Sequence, residues 1–231
     1  MTTPGGSAPS QSVRALEGLR ELVLAGHFQP GERLVEGRLC DQVEVSRTPL
    51  REALIRLDAD GLLERREDGY YVARYDLAAL RDLYELRVVL ELHGLRRIAQ
   101  NPGLRLDLEL LAEQRAFWDR LLSTPPEPGP ELVRADETFH VKLSAASGNA
   151  AVTDQLRAVN ARIRPLRMYD YSTAERVHAT TVEHLAVLDC VLDGDVEGAV
   201  VLLRQHVGDS LAEVEDKARR SLTNHALHAV G

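Results

Sequence analysis

Asp136 and His140 stand four residues apart, a spacing that puts both side chains on one face of a helix. Leu132, Phe139 and Leu143 share that face, so the two polar groups turn inward with an apolar stripe. His184 sits among Leu185 and Leu188, and His206 among Leu202, Leu203 and Val207. Burying such groups without partners costs of order 1–3 kcal/mol each, and a divalent cation held by all four would satisfy them together. Three neutral imidazoles and one carboxylate suit Zn²⁺, and equally Ni²⁺, Mn²⁺ or Fe²⁺. Such a site keeps a formal charge of about +1. An open coordination position would accept an oxygen of a small organic acid, or would activate water as in a metal-dependent hydrolase. A purely structural metal is a further possibility. Each histidine alone reads as a core residue bonded to a neighbour, and spacing alone leaves both readings open. His27, His93, His178, His225 and His228 read as core or exposed residues.

A second set of residues suggests different chemistry. Val45-Ser46-Arg47-Thr48-Pro49-Leu50-Arg51-Glu52-Ala53-Leu54 reads as a helix capped by Ser46, with Leu50, Ala53, Leu54 and Leu57 on its inner stripe. Arg47, Thr48 and Arg51 are left on the outer face at the N-terminal end, where a helix entering a major groove carries its reading side chains. Arginine matches the paired acceptors of guanine, and threonine reaches a phosphate or a thymine methyl. A solvated three-helix bundle is the plain alternative for such a motif.

The surrounding elements agree with that second set. Helices are expected over Gln11–Ala25 and Glu36–Val43, and Gly61 ends the helix that Ser46 opens. Leu62–Arg66 and Tyr70–Ala73 read as a two-stranded ribbon around Asp68-Gly69, with Gly69 at its tip. Helix, turn, helix and ribbon make a winged helix-turn-helix over residues 11–75. Beyond it the pattern is helical: Leu77–Gln100, Arg105–Thr124, Leu132–Ser147, Ala150–Tyr171, Ala174–Leu192 and Val196–Arg219. The fold class is therefore mainly α, a winged helix-turn-helix joined to an antiparallel helical bundle over 76–220. Residues 1–10 and 221–231 read as flexible tails.

Composition limits the reading. The net charge is −8, the wrong sign for nucleic-acid binding through a bulk field. Between Gln11 and Tyr75 ten arginines face twelve acidic residues, so DNA binding rests on a few placed arginines. No apolar run approaches the ~18 residues of a membrane span. The polar start lacks the pattern of a secretion signal, which suggests a cytoplasmic protein. Cys40 and Cys190 fall inside helical patterns and read as thiols.

Pro30-Gly31-Glu32-Arg33-Leu34, Val45 to Leu54 and Asp60-Gly61-Leu62-Leu63 together resemble the N-terminal domain of GntR-family bacterial transcription regulators. Leu83-Tyr84-Glu85-Leu86-Arg87, Asp136-Glu137-Thr138-Phe139-His140 and Ser147-Gly148-Asn149 resemble the FCD effector domain of the family's fatty-acid-regulator branch. Six effector-domain helices are similar to its vanillate-regulator subgroup. The resemblance implies a homodimer on double-stranded, pseudo-palindromic operator DNA, controlled by a small metabolite. It implies DNA contacts from Arg47, Thr48, Arg51 and the wing at Gly69. The family's basic position early in the second helix falls on Gly37, with Arg38 beside it as the candidate substitute. Metal-binding members use an Asp-x-x-x-His pair and two later histidines, and all four positions are filled here by Asp136, His140, His184 and His206. For an organic-acid effector, Arg87 offers a bidentate partner, or else a salt bridge to Glu91. Asn149 either serves the pocket or caps the helix that starts there. Glu137 and Glu183 adjoin ligands in sequence, but helix neighbours point about 100° apart, so neither is a compelling general acid or base.

Overall fold

In the computed structural model residues 10–74, 76–101, 103–168 and 173–228 are described, with side chains up to residue 216. The chain divides into two compact units, the second being Asp76–Ala218. Among the described residues no helix is long and apolar enough to cross a membrane.

The first unit runs α1 (Gln11–Leu24), β1 (Arg33–Leu34), α2 (Glu36–Val43), α3 (Arg47–Ala59), β2 (Leu63–Arg66) and β3 (Gly69–Val72). Ser10 caps α1, its hydroxyl accepting the Val13 N–H at 3.3 Å. Leu19 and Val23 of α1, Leu39 of α2, and Leu50, Leu54 and Leu57 of α3 close the core. Gly18 lets α2 approach closely, because a Cβ there would lie 2.7 Å from Val43 Cγ1. α2 ends in the left-handed conformation at Glu44, φ 55°, which turns the chain toward α3. Ser46 occupies the N-cap of α3 as expected but makes no side-chain cap bond. Its hydroxyl faces Gln11 Oε1 at 3.5 Å instead.

Strand β1 is an addition to the expected ribbon, since two residues are too short to carry a period. The antiparallel sheet has the order β1-β3-β2, with Arg33 opposite Tyr71 and Leu63 opposite Val72. Arg66 pairs with Gly69, so the turn lies at Glu67-Asp68, one position before the Asp68-Gly69 of the sequence pattern. Gly69 at φ 144° is the first residue of β3.

The second unit contains α4 (Leu77–Gln100), α5 (Leu108–Ser123), α6 (Pro130–Ala146), α7 (Ala150–Arg167), α8 (Ala174–Leu192) and, as far as Ala218, α9 (Val196–His228). Side-chain caps fix the starts: Asp76 accepts from Ala78 N at 2.8 Å, Asp107 from Leu110 N at 3.0 Å, and Thr173 from Arg176 N at 3.3 Å. α6 starts at Pro130, earlier than expected, because proline suits the first helical turn. α7 ends at Arg167, and the expected end near Tyr171 lies outside the described residues. α9 continues to His228, which corrects its expected end at Arg219. Residues 219–228 contain no glycine or proline to stop it. α6 packs against α4, α5 and α7, which places its inward face at the centre of the bundle.

Candidate metal centre and DNA-reading face

The bundle brings Asp136 and His140 of α6, His184 of α8 and His206 of α9 to one point. One ligand atom from each lies within 4.8 Å of the others, and all four residues are buried. The Nε2 atoms of His140 and His184 are each 3.2 Å from His206 Nε2. Asp136 reaches the same point, with Oδ2 3.4 Å from His140 Nε2 and Oδ1 3.4 Å from His184 Nε2.

Each imidazole is oriented from behind. His140 Nδ1–H donates to Glu91 Oε2 of α4 at 2.6 Å. His206 Nδ1–H donates to Glu183 Oε2 of α8 at 2.6 Å. A proton held at Nδ1 leaves a lone pair at Nε2, which is how carboxylates fix metal-binding histidines. His184 is held by rings instead: Phe139 stacks on it at 3.7 Å between centroids and Trp118 of α5 meets it edge-on at 4.3 Å. With the proton at Nδ1, the Nε2 atoms of His140 and His206 turn toward each other at 3.2 Å and toward Asp136, an arrangement of donors that fits a divalent metal.

Charge at the centre is compensated by two arginines that are 0% exposed, Arg87 of α4 and Arg167 of α7. Arg167 Nη1 donates to Asp136 Oδ2. Arg87 Nε donates to Glu91 Oε1 at 2.6 Å, and its Nη2 lies 3.8 Å from Asp136 Oδ2. Burial works against ionising Glu91, but His140 and Arg87 outweigh it and lower its pKa to about 2. Burial likewise opposes the Asp136 carboxylate, and Arg167 with His140 overcomes it, holding the group well below the usual carboxylate range. Burial pushes His184 and His206 below the ordinary imidazole range, although Asp136 and Glu183 respectively oppose it. His184 and His206 are therefore neutral and the carboxylates charged near pH 7, the states a metal requires. Every helix of the unit supplies a residue here: Glu91, Trp118, Asp136, Arg167, His184 and His206.

Several sequence-based expectations are refined. Arg87 does make the salt bridge to Glu91, through Nε, while Nη1 and Nη2 have no hydrogen-bond partner. Asn149 caps a helix: its Oδ1 accepts the Val152 N–H at 3.3 Å, because the α6–α7 turn places it at the N-cap of α7. Glu137 is taken by Arg164, at 2.8 and 2.7 Å. Glu183 does point off its own helix's ligand face, and for that reason meets His206 of the next helix. The supporting roles of Glu91, Glu183 and Arg167 emerge from the packing. The Arg87-x-x-x-Glu91 spacing was the available signal for the first.

On the first unit Arg47, Thr48 and Arg51 are exposed on one face of α3, and Arg38 is exposed on α2. Arg51 Nε donates to Glu36 at 3.0 Å, which fixes the guanidinium across the gap between α2 and α3. The wing is braced by the Tyr71 hydroxyl, which donates to Asp68 Oδ2 at 2.7 Å, and by Arg66 lying 4.3 Å over the Tyr71 ring.

A winged helix-turn-helix with exposed arginines, joined to a helical unit with a buried Asp-His₃ cluster, defines a DNA-binding transcriptional regulator. The chain belongs to the GntR family of bacterial regulatory proteins and carries an FCD domain: the family models match residues 11–71 and 82–209 respectively. It is similar to the Nta operon transcriptional regulator of Aminobacter aminovorans, at 30% identity over 203 residues, 87% of this chain and 93% of that one. Among solved structures, Lar, which controls expression of the agr system of Listeria monocytogenes, superposes with a TM-score of 0.61 at 18% identity, covering 91% of this chain and 99% of that one. A GntR protein from Rhodococcus sp. RHA1 gives 0.54 at 24% identity, covering 90% and 99%. The two structures share the fold.

Proposed function

We propose that this regulator binds a pseudo-palindromic operator as a homodimer and responds to a small organic acid at a metal-centred pocket. Arg47 and Arg51 would read bases, Thr48 would touch phosphate or a thymine methyl, and Gly69 would let the wing approach the backbone closely. Arg38 would supply the phosphate contact that Gly37 lacks. Family membership and the exposed arginine face of α3 support this half of the reading.

Asp136, His140, His184 and His206 would hold the metal, and Zn²⁺ fits their mixture of imidazole and carboxylate. The metal, when bound, supplies positive charge that attracts an anionic oxygen. Arg87 would meet the rest of the carboxylate through its terminal nitrogens, and Glu91 would hold that guanidinium in place. The observation that carries the reading is the convergence of three Nε2 atoms, two of them on carboxylate-backed imidazoles, beside a buried arginine whose terminal nitrogens make no hydrogen bond. Only different affinities for two arrangements of the dimer can turn effector binding into a change in DNA affinity.

Titration of operator DNA into the Zn²⁺-loaded protein, with and without a panel of small carboxylates, tests the reading. At least one acid is expected to change operator affinity. Constant affinity across the panel would remove the switch and leave DNA binding in place.

A further inference from the structure

We propose that Asn160 and Thr180 select an effector that carries a hydroxyl group besides its carboxylate, the hydroxyl meeting these two side chains and the carboxylate meeting Arg87. This rests on the effector reading above and narrows it to hydroxy acids.

Both residues are 1% exposed. Neither Nδ2 nor Oδ1 of Asn160, nor Oγ1 of Thr180, has a hydrogen-bond partner. Leaving a buried polar group in that state is costly, so native proteins hold few of them without an ordered ligand or water. Neighbours on the same helices are satisfied: Thr181 Oγ1 donates to Val177 O at 2.8 Å, and Thr153 Oγ1 to Asn149 O at 3.1 Å. Thr180 could donate to its own helix in the same way and does not.

Their placement joins them to the centre. Ser144 meets Thr153 at 3.1 Å and Glu137 meets Arg164 at 2.8 Å, so α6 and α7 run antiparallel. That register sets Asn160 opposite the Phe139–His140 stretch of α6. Thr180 lies one turn before His184 on the same buried face of α8. Arg87 lies one turn before Glu91, which holds His140. Arg87, Asn160 and Thr180 are thus buried groups of α4, α7 and α8 with hydrogen-bonding atoms left over, each on a helix that supplies a metal-ligand candidate or its support.

The chemistry of the groups specifies the class. A carboxamide offers a donor and an acceptor, and a threonine hydroxyl can do either. One ligand hydroxyl can satisfy both, whereas an unsubstituted acid leaves them unsatisfied. A site built to hydrogen-bond a hydroxyl discriminates strongly against the analogue that lacks it.

Glycolate and acetate differ by one hydroxyl. Calorimetric titration of each into the full chain with added Zn²⁺ compares them directly, in the wild type and in Asn160→Leu and Thr180→Val. The wild type is expected to favour glycolate by about tenfold or more. Each substitution should reduce that preference and leave acetate affinity and Zn²⁺ affinity unchanged; the latter also shows that the variant is folded. Equal affinity for the two acids in the wild type would overturn the inference and leave water as the occupant. A preference that survives both substitutions would also overturn it. If neither acid binds, the effector reading itself falls, and this inference with it.

Discussion

His206 Nδ1 and Glu183 Oε2 lie 2.6 Å apart, so the carboxylate next in sequence to one metal-ligand candidate orients another on a different helix. Glu183→Gln keeps the shape and removes the charge. Metal affinity, read by competition with a chromophoric chelator, should fall about 10- to 100-fold. Unchanged affinity would mean that the carboxylate does not set the imidazole's tautomer.

Metal removal should loosen the second unit. Chelator-treated protein is expected to melt at a lower temperature, and Zn²⁺ at a hundred times its Kd should restore about 2.7 kcal/mol. His206→Ala should abolish the response. A melting temperature indifferent to chelator would place the stabilising work elsewhere.

Arg47→Ala and Arg51→Ala should each weaken operator binding by about 1–3 kcal/mol. Both side chains are exposed on α3, so the melting temperature should hold steady. Fluorescence anisotropy with labelled operator measures the loss. Full affinity in both variants would remove α3 as the reading helix.

Much of this arrangement is legible in the sequence. The i, i+4 spacing of Asp136 and His140 gives one face of α6, and leucines flanking His184 and His206 turn those two inward. The residues that support the ligands were harder to see. Arg87 and Glu91 have the spacing of a solvent-exposed helix pair, and only the packing of α4 on α6 buries them to 0% and 1% side-chain exposure. Arg167 reaches Asp136 through the antiparallel register of α6 and α7, a tertiary relationship with no local signature. In the first unit, β1 has no signature of its own, because its two residues acquire strand character only from pairing with β3.

Gly37 is exposed on α2, with nothing within 4 Å of where a Cβ would stand. Gly37→Arg would restore the family's basic position. Operator affinity should rise, and the slope of log affinity against log salt should steepen by about one. A slope that does not change would show that this position stays away from phosphate.

Glu44 holds the left-handed region at φ 55°, which costs a non-glycine residue roughly 1–2 kcal/mol. Glu44→Gly should relieve most of that, even with the loss of the exposed 3.6 Å pair to Arg14. Denaturant unfolding of the full chain should show a first unit stabilised by roughly 1 kcal/mol. A lower midpoint would mean that Glu44 does something there beyond turning the chain.

Because α4 through α9 each place a side chain at the same buried point, the bundle has no bystander helix. Whatever fills or empties that point acts on all six together, like a keystone in a vault. Slow amide exchange should then appear and vanish across the whole domain as a single block. A substitution at any one of these positions must therefore be accommodated by the whole bundle and not by a single helix.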